Sequence, residues 1–135
     1  MIKYKGSPIN FPPLEHPVVL IITDNVVEAK KELQLAWDLE DSSDVGQAVF
    51  QHSTGIVYCI VLDTATRLTV LHEALHCINF IYSVINAEID PNSAEIDPNS
   101  DEIYVRHASW LQDVILTEWE DYYNNLALRN ENNSN

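Results

Sequence analysis

"VLHEALHCINF", residues 70–80, sets His72 and His76 four positions apart, with Glu73 directly after the first histidine. The stretch lies inside "TRLTVLHEALHCINFIYSVIN", residues 66–86, where Leu68, Leu71, Leu75, Ile78, Tyr82 and Ile85 recur at three- and four-residue steps. That period predicts a long helix with one apolar stripe, and His72, Glu73, His76 and Phe80 fall beside it. Residues four apart on a helix stand one turn above each other, with side chains about 6 Å apart, so both imidazoles can reach one ion.

The spacing has a chemical rationale. Zinc takes nitrogen ligands at about 2.0–2.1 Å in a tetrahedron and keeps one position open when the site is catalytic. Glu73, one residue on, sits about 100° further around the helix. That offset aims its carboxylate at a water on the metal rather than at the metal, in the place of a general base. Histidine pairs with this spacing and an adjacent glutamate are the zinc-peptidase pattern. A chance occurrence on an ordinary polar helix face is the competing explanation.

Upstream, the chain reads as short strands around one helix. "MIKYKGSPINF" offers two extended runs about Gly6-Ser7-Pro8, a hairpin start, and "HPVVLIIT" (16–23) has the continuous apolar character of a buried central strand. Asp24 or Thr23 can cap a following helix, in which Val26, Val27, Leu33, Ala36 and Trp37 recur at helical spacing, ending near "DLEDSSDVG". "QAVFQHS" and "IVYCIVL" then flank Thr54-Gly55, a turn signal between two β-rich runs, so a hairpin leads into the histidine helix.

Downstream lies "AEIDPNSAEIDPNSDE", a tandem copy of seven residues, Ala87–Ser93 and Ala94–Ser100. Its Pro, Asp, Asn and Ser content predicts a loop, and a single short repeat is best explained as a duplication that lengthened a tolerant connection. A second long helix follows, capped by Ser100 or Asp101, with Trp110 or Leu111, Val114, Ile115, Trp119, Tyr122 and Leu126 as its apolar face. Residues 129–135, "RNENNSN", are expected to fray as a disordered tail.

The whole is expected to be one α+β domain over residues 1–128, with a short antiparallel or mixed sheet and three helices, two of them long. At 135 residues the chain suits a single core. No basic, apolar and small-residue leader pattern opens it, and no apolar run approaches the roughly 20 residues of a membrane span, which predicts a cytoplasmic protein. Cys59 and Cys77 both sit in apolar segments and are expected as reduced, buried thiols.

Charge is uneven. The chain carries −14, and after Glu73 eleven acidic residues face only Arg106 and Arg129. Such a surface repels phosphate backbones, which argues against direct nucleic-acid binding. It favours a basic polypeptide segment, or a host protein with a basic surface, as partner.

"VLHEALHCINFIY" followed by "EIYVRHASWL" resembles the small zincin-like metallopeptidases encoded by bacteriophages, in which a histidine-pair helix precedes a glutamate that opens the next helix. The resemblance covers the motif helix, the loop and the start of the last helix, and more loosely the strand-rich N-terminal half. It implies a zincin-like fold, Zn2+ as cofactor, His72, His76 and Glu102 as ligands in the gluzincin manner, and Glu73 as general base. Trp110 matches the family's aromatic position. The chain departs from the pattern in a loop longer by one seven-residue copy and in Arg106 and His107, where apolar residues are usual. His107 is thus an alternative ligand, a catalytic transition-state donor, or an exposed helix histidine. The resemblance implies a zinc-dependent peptidase acting in a bacterial host's cytoplasm. An acidic anti-defence protein that binds a host nucleic-acid-binding protein, without catalysis, is the alternative.

Overall fold

The computed structural model describes the backbone of residues 1–11, 14–35, 45–89 and 98–133, and the side chains of 1–10, 16–35, 45–82 and 104–129. The two most apolar runs in the N-terminal half lie side by side at its centre. β3 (Leu14–Thr23) and β5 (Ile56–Leu62) pair in parallel, from Val18↔Val57 to Thr23↔Leu62. Both are covered on two faces, which is why they read as unbroken apolar runs rather than alternating ones. Val18, Leu20 and Ile22 of β3, with Val57, Cys59 and Val61 of β5, face one core. Val19, Ile21, Tyr58 and Ile60 face the other.

The remaining strands complete a mixed sheet of order β1-β3-β5-β4. β4 (Gly46–Gln51) runs antiparallel to β5 through the expected hairpin, whose Gly55 adopts φ +73°, a left-handed conformation that glycine takes at no steric cost. The expected hairpin at residues 6–8 does not form. β1 (Ile2–Lys5) and β2 (Ile9–Phe11) both pair antiparallel with β3, at its far and near ends respectively. Gly6-Ser7-Pro8 thus interrupts one edge of the sheet, and the Gly6 amide still donates to the Leu20 carbonyl at 2.9 Å.

α1 (Val26–Glu32) covers one face of the sheet with Val26, Ala29 and the stem of Lys30, whose ammonium donates to Gln47 Oε1 at 2.5 Å. Its cap is Asn25, accepting from the Glu28 amide, while the Thr23 hydroxyl accepts from Asn25 N–H. The helix stops several residues before the end expected from periodicity. Gln34 turns left-handed at φ +57°, its amide bonds the Lys31 carbonyl, and the Leu35 amide bonds the Lys30 carbonyl, both at 3.0 Å. This pair of bonds closes a helix that way even without glycine. Ala36 and Trp37 lie outside the described residues.

α2 (Arg67–Ile89) and α3 (Pro98–Asn133) cover the opposite face. Thr66 caps α2, its hydroxyl accepting from the Thr69 amide at 3.4 Å. The buried face is not the stripe expected from the sequence. Val70, Glu73, Ala74, Cys77, Ile78 and Ile81 are buried, whereas Leu68 is 78 % exposed and Leu75 36 %. Apolar residues surround this helix, so periodicity alone misjudges its rotation, and the small Ala74 and Cys77 are among the side chains that turn inward onto the sheet. Cys59 and Cys77 are free and buried, the Cys77 thiol donates to the Tyr58 carbonyl at 4.0 Å, and burial first, then the neighbouring Cys59, pushes the Cys77 thiol well above its ordinary range.

α3 buries Ala108, Leu111 and Ile115, with Tyr104, Leu116, Trp119 and Tyr122 packed alongside. Trp110, offered above as a core alternative, is 42 % exposed. Pro98, the fifth residue of the copy Ala94–Ser100, opens the helix ahead of the expected caps, and proline is tolerated in a first turn because its missing N–H has no helical partner there. α2 likewise continues through Ile89, three residues into the first copy. At the other end α3 runs to Asn133, through most of the segment expected to fray. None of the described helices is long and apolar enough to cross a membrane.

Candidate metal centre

Rotating α2 as described turns His72 and His76 outward, both exposed, and brings Glu73 under the edge of the sheet. The two imidazoles meet edge to face with centroids 4.5 Å apart and Nε2 atoms 3.0 Å apart. Two nitrogens bound to one tetrahedral ion at about 2.0–2.1 Å would stand roughly 3.3–3.4 Å apart. The pair is therefore within a few tenths of an ångström of the separation of two nitrogens on one zinc. Without an ion, the same contact is a hydrogen bond that requires opposite tautomers on the two rings.

These side chains line an open groove of about 620 Å³ between α2 and β4, with Val45, Gly46, Gln47, Ala48, Leu68, Thr69 and Phe80. β4 is an edge strand, and among the described residues nothing pairs with its outer side. Glu73 forms part of the floor and is 7 % exposed. It fits there because β4 opens with a glycine. A Cβ on Gly46 would come 2.8 Å from Glu73 Cγ and 3.0 Å from the Ile60 carbonyl.

The other two residues read from the sequence stand elsewhere. His107 is half-buried on α3, where its Nδ1 meets the Tyr82 hydroxyl at 2.6 Å, and it does not line the groove. Tyr104 donates to Asn79 Oδ1, and Gln112 Nε2 donates to the Leu71 carbonyl at 3.0 Å. These contacts set α3 antiparallel to α2, with the first turns of α3 beside the part of α2 beyond His76. In that register Glu102 is roughly 10 Å along α2 from His76, and its side chain lies outside the described residues. Among the described residues no group of three His, Cys, Asp or Glu is gathered as a metal site. Histidine spacing revealed the pair, but only the fold shows the burial of Glu73, because that depends on a glycine 27 residues away. No protein family, curated protein or solved structure matches the chain.

Proposed function

We propose that the protein is a zinc-dependent metallopeptidase that hydrolyses a peptide bond in an extended polypeptide laid between β4 and α2. The observation that carries this is the His72–His76 Nε2 separation of 3.0 Å at the mouth of a groove whose floor holds Glu73. His72 and His76 would hold the ion; Glu102, the third ligand that the resemblance implies, would reach it only if the first turn of α3 drew closer to His76 than the roughly 10 Å of this register. Zinc bound there would supply Lewis acidity and a more acidic water.

The protein's own groups do the rest. Glu73, walled in by β4, is the base that takes the water's proton and delivers it to the leaving amine. The outer edge of β4, which no described residue pairs, offers backbone donors and acceptors to an extended chain, which fixes the scissile carbonyl over the histidines. His107, engaged with Tyr82, is assigned a structural role.

Protein purified without chelator should carry about one zinc per chain, lost in His76→Ala. Glu73→Gln should keep the zinc but lose cleavage of host-lysate polypeptides followed by mass spectrometry. Retained binding with no cleavage by the wild type would support the non-catalytic alternative. For the third ligand, Glu102→Ala should weaken zinc more than His107→Ala, and the reverse order would discard the gluzincin assignment.

A further inference from the structure

We infer that the groove selects an extended polypeptide bearing two large apolar side chains six residues apart, one for each end of the histidine face. This names the substrate class of the proposed peptidase and rests on that proposal. Leu68, His72, His76 and Phe80 follow each other at four-residue steps along α2, and all four line the groove. Such a row is inclined by about 26° to the helix axis. Twelve residues advance about 18 Å along the axis, so the row itself is about 20 Å long.

An extended chain rises about 3.3–3.4 Å per residue and returns side chains to one face at every second position. Six residues therefore cover about 20 Å, the length of the row. A chain paired along the edge of β4 would set residue i on Leu68, residues i+2 and i+4 over His72 and His76, and residue i+6 on Phe80. The bond to be cleaved adjoins residue i+3, midway along the row.

The chemistry of the ends is apolar. Leu68 is 78 % exposed, Phe80 40 % and, on the opposite wall, Val45 51 %. Glu73, the charged residue of the lining, is buried. Covering Leu68 and Phe80 with apolar side chains releases water from both surfaces. A charged side chain placed at either end would be desolvated, with Glu73, the carboxylate among the described lining residues, buried beside the histidines rather than at the ends.

The test uses fluorescent peptides on a Ser/Ala host, with Phe or Leu at i and i+6, at i and i+3, at one position only, or with Lys at both. Anisotropy on zinc-supplied Glu73→Gln protein reads binding, and mass spectrometry of wild-type digests reads cleavage. The i, i+6 peptide should bind on the order of tenfold more tightly than either single-site peptide. Phe80→Ala and Leu68→Ser should each abolish the gain from one end only, with unchanged circular dichroism, since both residues are exposed.

Equal binding of the i, i+3 peptide, or tighter binding of the Lys peptide, overturns the inference. So does a dimer in sedimentation that Phe80→Ala dissolves, because a second copy would then be the occupant. Zinc-loaded, active protein that cleaves without regard to spacing overturns it while leaving the peptidase intact. A zinc-free, inactive wild type that keeps the spacing preference removes the peptidase and upholds the groove's selectivity.

Discussion

Adding one methyl group to Gly46 tests how the proposed base is held. The new Cβ would lie 2.8 Å from Glu73 Cγ and 3.0 Å from the Ile60 carbonyl, where ordinary contacts begin at 3.4 Å. Glu73 must retreat by at least 0.6 Å or β4 must lift from β5. Overpacking of this kind costs about 1–3 kcal/mol, and the smaller unfolded-state entropy of alanine returns about 0.4–1 kcal/mol. Gly46→Ala should therefore destabilise by about 1–2 kcal/mol, read as a lower urea midpoint at unchanged slope. Truncating Glu73 to alanine removes the Cγ that is struck. In the Glu73→Ala background the same Gly46→Ala change should cost at least 0.5 kcal/mol less, a coupling of the size seen between residues in contact. Equal costs in both backgrounds, within about 0.3 kcal/mol, would refute the claim that Gly46 makes the room for Glu73.

Gln34→Gly should raise stability by about 0.5–1 kcal/mol in thermal melts, because residue 34 occupies a left-handed conformation that costs a side chain about 1–2 kcal/mol, partly offset by the entropy of glycine. Glu118 is half-buried and accepts from the Tyr4 hydroxyl at 2.8 Å, and desolvation first, then the charge of Asp121, raises its carboxyl pKa above the ordinary 4.5. Its stabilising contribution is thus complete below 4.5 and is lost as pH rises through the raised value. Glu118→Gln, which keeps an acceptor for Tyr4, should stabilise the protein at pH 7 and give no gain at pH 4 in paired urea titrations. Deleting Ala94–Ser100 restores the same Asp-Pro-Asn-Ser start for α3 but leaves one residue between Ile89 and Pro91, fewer than the usual 2–8 of a helix connection. Part of a turn must then unwind, and the shortened protein should fold with a loss of about 1 kcal/mol by calorimetry. No loss at all would show that the two copies are wholly spare.

Several elements were legible because they depend on neighbours in sequence. β3 and β5 announced themselves as apolar runs, Thr54-Gly55 as a turn, and His72 and His76 as a pair on one helix face. The reading failed where distant parts decide. α1 is closed by Gln34, two residues past its last turn and with no reputation as a stop signal, and the structure supports the left-handed turn by burying Leu35 at 4 % exposure. α2 has apolar residues on every side, so its rotation is chosen by the sheet beneath it. β1 and β2 could have paired with each other, but β3 is ten residues long and takes both on one edge. Tyr82 fixed the place of His107, and that partner was invisible without the α2–α3 register.

The parallel pairing of β3 with β5 also sets the order in which this chain can assemble. Every partner in that ladder is 39 residues from its mate, as Val18 is from Val57. The β4–β5 hairpin, by contrast, closes over the short turn between Gln51 and Ile56. Hairpins form in about 1–10 μs, while non-local ladders must first meet the entropy of closing a long loop. The hairpin is therefore the early, local structure, and the sheet is completed when the N-terminal third docks onto β5. Until then β5 presents its free edge and the face of Tyr58 and Ile60, which α1 covers in the finished fold, to water, so the refolding chain is most prone to self-association in that interval.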